Sequence, residues 1–149
     1  MNHKSCFFIG HREASDAIYP KLLAAVRQHI VDFHVSEFVV GHYGRFDCLA
    51  ARAVIEIKRE FPEVSLLMLI PYHPVEAPIE PPKGFDGTFY PPGMESVPRQ
   101  FAIVRANRYM LNHSDFLIAY VRHPASNTAN LVADAVSRER RGIIHITQI

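Results

Sequence analysis

The chain has 149 residues, 48% apolar and 21% charged, with 16 basic against 15 acidic side chains for a net charge of +1. That is the size and make-up of one globular domain, long enough to bury roughly 70% of the surface its unfolded form exposes. Near-neutral charge excludes a global basic field for a nucleic acid backbone, and two scattered cysteines, Cys6 and Cys48, exclude a disulfide framework or a zinc ribbon.

Apolar periodicity alternates between strand and helix along the chain. Ser5 to Ile9 reads as a strand, and Ile18, Leu22, Leu23, Val26, Ile30 and Phe33 recur at helical spacing. Glu37 to Val40 is a second strand, and Leu49, Ala50, Ala53, Val54 and Ile57 form a second helical stripe that Pro62 stops. Ser65 to Ile70 is apolar throughout, as strands covered on both faces are. Residues 71–98 then hold eight of the 11 prolines, a length expected of a lid, a binding loop or a disordered stretch, with only Gly87 to Tyr90 strand-like. A helix is predicted from about Pro98 to Asn112, a strand over Asp115 to Val121, a helix over 127–141 closed by Gly142, and a last strand over Ile143 to Thr147.

Such alternation predicts an α/β fold: a single Rossmann-like domain over residues 1–149, with a parallel sheet and helices on both faces in three layers. Right-handed crossovers bring the strand-to-helix turns to one edge of the sheet, where ligands bind. Three turns are expected there: GHRE from Gly10, GHYGRFD from Gly41, and RHPASNT from Arg122. No run of about 20 apolar residues spans a bilayer, and the apolar core near the N-terminus is too short for a signal peptide, so a cytoplasmic protein without membrane partners is expected.

The turns carry the candidate chemistry. Gly41 and Gly44 either let a ligand approach the backbone or simply make the turn. Asp47 is expected to N-cap the following helix, and a carboxylate there favours a sugar hydroxyl or a phosphate held slightly aside. Phe46 either packs beneath the turn or stacks on a base. Arg12 either clamps a phosphate or pairs with Asp47. His11, His42, His73 and His123 follow strand ends, but their separate loops lack local ligand spacing, so no metal is assigned. Neither GxGxxG nor GxxxxGK[ST] occurs, which argues against a standard dinucleotide dehydrogenase and a P-loop NTPase. Arg105, Arg108 and Asn112 share a helix face as a phosphate-facing strip or, by default, a solvated flank.

Together, CFFIGHR from Cys6, GHYGRFD from Gly41, LLMLIPY from Leu66, YPPGMESVPRQFAIVRANRYM from Tyr90 and DFLIAYVRH from Asp115 resemble the small bacterial YpsA-like branch of the SLOG superfamily. That superfamily also includes the cytokinin-activating LOG phosphoribohydrolases and the DNA-processing protein DprA. The resemblance runs in order from about residue 5 to 147. It implies a Rossmann-like sheet binding a nucleotide or ADP-ribose-like ligand through Gly10, His11, Arg12, Gly41, Gly44, Phe46 and Asp47, with Arg122, Ser126, Asn127 and Thr128 opposite; His42, in the same turn as Gly41 and Gly44, is a further candidate. The resemblance requires no cofactor beyond such a ligand, and leaves a homodimer open.

Two departures bear on activity. The last turn reads HPASNTAN where relatives have small or glycine-rich residues, and Ala106 stands where they tend to be basic. If Thr128 matches the LOG threonine, the catalytic glutamate position is Leu131, which argues against that hydrolysis. A binding protein or ligand sensor is therefore the expectation. The alternatives are an N-glycosidase or phosphoribohydrolase-like enzyme using Asp47 with His11 or His42, and single-stranded DNA binding as in DprA, against which the charge argues.

Overall fold

The structure is a computed structural model that describes residues 3–123, 126–142 and 144–149, the Asn127 side chain excepted. Its elements follow the predicted order: β1 (Lys4–Gly10), α1 (Tyr19–Val31), β2 (Val35–Val40), α2 (Arg45–Lys58), β3 (Ser65–Leu69), β4 (Gly87–Phe89), α3 (Ala102–His113), β5 (Phe116–Tyr120), α4 (Asn127–Arg140) and β6 (His145–Gln148). All pair in parallel in one six-stranded sheet of order β4-β3-β2-β1-β5-β6. The α/β Rossmann-like fold is that of the sequence reading.

Alternation within β1 builds two cores. Cys6 and Phe8 point into a cluster with Leu22 and Val26 of α1 and Leu49 and Val54 of α2, whereas Phe7 and Ile9 meet Ala106 and Met110 of α3 and Leu131 of α4. A strand buried on both faces is uniformly apolar for this reason. From β1 the chain steps outward through β2 and β3 to β4. Then α3 carries it back to lay β5 on the other flank of β1. The winding reverses between β1 and β5, which places a crevice beyond their carboxyl ends.

Most differences from the predicted bounds are a residue or two; the start of α3 differs by more. A short 3₁₀ turn, Arg99–Phe101, follows Pro98, so α3 begins at Ala102. The last strand begins at His145, and Ile143, its predicted first residue, lies outside the described residues. Gly142 takes the left-handed φ of 73° that closes α4.

Residues 71–98 are built into the edge of the sheet. β4 pairs with β3, and Ile70 N–H donates to the Phe89 carbonyl at 2.9 Å. Asp86 ties the returning chain to Leu66: its carboxylate accepts the Leu66 N–H at 2.7 Å, its own N–H donates to the Leu66 carbonyl at 2.8 Å, and it pairs with Lys58. Pro91 and Met94 are buried.

Candidate functional site

A cleft of about 440 Å³ opens at the carboxyl end of the sheet, on the side covered by α3 and α4. Gly10 at the end of β1, Arg12 just after it, Gly41 and Asp47 around the turn after β2, and Thr128 in the first turn of α4 all line it. These are sequence-predicted residues, and the fold brings them together. The volume falls within the range of about 300–1,000 Å³ usual for small-molecule clefts.

The glycines owe their identity to the protein's own packing. A Cβ on Gly10 would lie 2.2 Å from the Phe46 ring, and one on Gly41 would lie 2.9 Å from Asp47 Oδ2. At Gly44, with φ of 136°, it would meet Arg12 Cα at 2.7 Å. The Arg45 N–H also donates to the Arg12 carbonyl at 2.8 Å, stitching the first two turns together. Gly10 and Gly41 still face the cleft, whereas Gly44 is spent on the stitch.

Asp47 departs from its expected place. The N-cap of α2 is Gly44, so Asp47 sits in the first helical turn and reaches back to accept the Tyr43 N–H at 3.2 Å. Gly44 supplies no side-chain cap, which leaves first-turn N–H groups with their partial positive charge. Burial pushes the Asp47 carboxyl up to about 6, opposed by the Tyr43 N–H and by the Arg12 charge. It is the only carboxylate among the described residues lining this cleft.

Several predicted residues lie outside the cleft. Phe46 is 1% exposed, packed against Phe8 and stacked on Tyr120 beneath the turn, so no base reaches it. His11 is buried, and its Nε2 accepts the N–H groups of Arg122 at 2.6 Å and His123 at 3.2 Å. It is therefore neutral with its proton on Nδ1, and burial, His123 and Arg122 together lower its pKa. Its role is to join the first and third turns. His42 lies against the Leu69 carbonyl at 3.3 Å through Nδ1, and burial lowers its pKa as well.

Arg122 is turned away: its guanidinium sits 4.4 Å from the Tyr120 ring centre and donates to the Ile149 carbonyl at 2.5 Å. Ser126 caps α4, accepting the Ala129 N–H at 3.0 Å and donating to the His123 carbonyl at 2.7 Å. Pro124, Ala125 and the Asn127 side chain lie outside the described residues, so that part of the predicted turn is not placed. The strip on α3 is a solvated flank, with Arg108 paired to Asp134 of α4 at 2.8 Å, both exposed. Among the described residues, no group of three or more His, Cys, Asp or Glu side chains is arranged to hold a metal.

Sequence reading missed the wall supplied by α3. Ile103, Val104 and Asn107 of α3 line the cleft at the spacing of one helix face, with Gln100 of the preceding turn beside them. That period was visible, but nothing local says that this helix crosses above β1. Tyr43 also lines the cleft; burial raises its pKa, and the neighbouring Tyr72 raises it further. Leu131 lines the wall one turn after Thr128, 7% exposed, so an apolar side chain occupies the position matched to the LOG glutamate.

Compared with models of known protein families and with curated proteins, the chain matches none.

Proposed function

We propose that this protein binds a nucleotide or nucleotide derivative of the ADP-ribose kind in the strand-end cleft. One observation carries the reading: the cleft lies at the reversal point of an all-parallel sheet, with the Arg12 cation and the start of α2, which has no side-chain cap, at the same edge. The resemblance of FFIGHR, GHYGRFD and YPPGMESVP to the YpsA-like branch of the SLOG superfamily supports the same ligand class. Asp47 suits a hydroxyl-bearing part of the ligand, and Arg12 a phosphate.

Thermal unfolding against AMP, other nucleoside monophosphates and ADP-ribose tests this. A ligand at about 100 times its Kd stabilises by about 2.7 kcal/mol, worth on the order of 5–10 °C here. The expected result is a shift of that size, reduced in Arg12→Ala. Absence of a shift with every compound overturns the reading. Arg12 is the informative position because its side chain is exposed, whereas any side chain at Gly44 collides with backbone.

The Asp47 carboxyl, at about 6, also favours a second reading in which the cleft hydrolyses an N-glycosidic bond with Asp47 as the acid. Free base released from a nucleotide, and lost in Asp47→Asn, would establish it.

A further inference from the structure

A second cleft, of about 390 Å³, adjoins the first at Pro71, which lines both. The partition is the Arg99–Phe101 turn and the start of α3: Arg99 and Ala102 line the second cleft, Gln100 and Ile103 the first. Tyr43, in the first cleft, has its hydroxyl close enough to Tyr72 and Arg99 of the second for both to affect its ionisation. The clefts are therefore neighbours on the two sides of that turn.

The chemistry of the two clefts differs. The second is built by the Pro-rich segment and carries two carboxylates, Glu76 and Glu95, with Tyr72 and Tyr90 as aromatic walls over a buried Met94. Both carboxylates lie near the Tyr90 hydroxyl and, with burial, raise its pKa. His73 accepts the Val75 N–H on Nδ1 at 3.1 Å, which leaves its Nε2 hydrogen as a donor when neutral. The Arg99 guanidinium lies 4.3 Å from the Tyr72 ring centre, at the partition. Among the described residues, Glu76, Glu95 and Arg99 form no ion pair.

Two carboxylates repel a phosphate and accept hydroxyl protons, while tyrosine rings and a methionine receive the C–H face of a sugar. A cation at the partition suits an anionic link crossing it. We infer that the second cleft is a subsite for the distal sugar of a two-part ligand, with Glu76 and Glu95 accepting from its hydroxyls and Arg99 meeting the diphosphate that joins the halves. This rests on the nucleotide reading of the first cleft and adds what lies beyond it. It also assigns a role to residues 71–98: they are a specificity wall that recognises the second half of the ligand.

Calorimetric titration with AMP, ADP and ADP-ribose separates the parts, because ADP-ribose differs from ADP by the distal ribose. The expected order is ADP-ribose at least tenfold tighter than ADP, with that gain lost in Glu76→Ala/Glu95→Ala. Because both glutamates are exposed, the pair of substitutions does not disturb the core, and the AMP affinity of the variant reports whether the first cleft is still formed. Equal affinity for ADP and ADP-ribose overturns the subsite while leaving the nucleotide reading in place. A tenfold gain that survives in the double variant also overturns it, because another surface then holds the ribose. Binding of none of the three overturns both.

Discussion

Asp47 shows how one side chain strains the free protein. Its carboxyl is raised from 3.8 to about 6 in the fold, so between those values the folded state holds a proton that the unfolded chain has lost. Stability therefore falls as pH rises through that window, and above it the charge is a standing cost of up to about 3 kcal/mol. Asp47→Asn keeps an oxygen to accept the Tyr43 N–H and removes the charge. It is expected to raise the melting temperature by on the order of 2–6 °C at pH 8 and by little at pH 4, read by differential scanning calorimetry. A destabilised variant at pH 8 would mean that the charge is supported by more than Tyr43 and Arg12. The sequence marked Asp47 as important and misjudged its position, because Gly44 starts the helix earlier than a carboxylate cap would. Phe46 was legible only as a pair of alternatives, since nothing local says that Gly10 lies against its ring.

Among the elements, β4 is held in part by side chains outside it. Three residues of strand hold on to β3, and Asp86 just before them binds the Leu66 N–H and Lys58. Asp86→Ala is expected to cost about 1–2 kcal/mol, because the Leu66 N–H loses its partner. Hydrogen exchange at Gly87–Phe89 should accelerate more than at β1, a pattern that distinguishes local loosening from global unfolding. If exchange rises equally in both strands, β4 is not a separable unit. Strands and helices at either end of the chain were legible because burial on both sheet faces, or on one helix face, writes a period into the sequence. Within 71–98 the strand-like Gly87 to Tyr90 was legible as β4, but the rest was not, because its order comes from Asp86 and Met94 reaching distant partners, and proline-rich composition reads as a loop either way.

Over the whole molecule, the histidines set the response to acid. His11, His29 and His42 all have lowered pKa values, chiefly through burial, and His29 is fully buried with Nδ1 against the Ala25 carbonyl at 2.6 Å. Below pH 6.5 the unfolded chain takes up protons that the folded histidines refuse, so stability falls as pH falls through that value, opposite in sign to Asp47. Each contributes at most one proton, about 1.4 kcal/mol per pH unit. Urea titrations from pH 7.5 to 5 should show a falling midpoint, with a shallower fall in His29→Leu by up to one proton. A profile that stays flat in Asp47→Asn as well would mean that these rings accept protons in the fold. At this scale the α/β class followed from alternation alone, whereas the strand order, which locates the cleft, depends on where α3 returns the chain and has no local signature.

The central position of β1 also has a consequence in time. Its partner on one side, β5, begins more than a hundred residues later, and the cleft needs Gly10, Asn107 and Thr128 at once. A chain leaving the ribosome at about 5–20 residues per second can bury the α1 and α2 face of the sheet early, but it has no complete groove until α4 emerges. Completion of the cleft is thus a late event of biogenesis. It marks the newly made molecules that have threaded α3 back across the sheet.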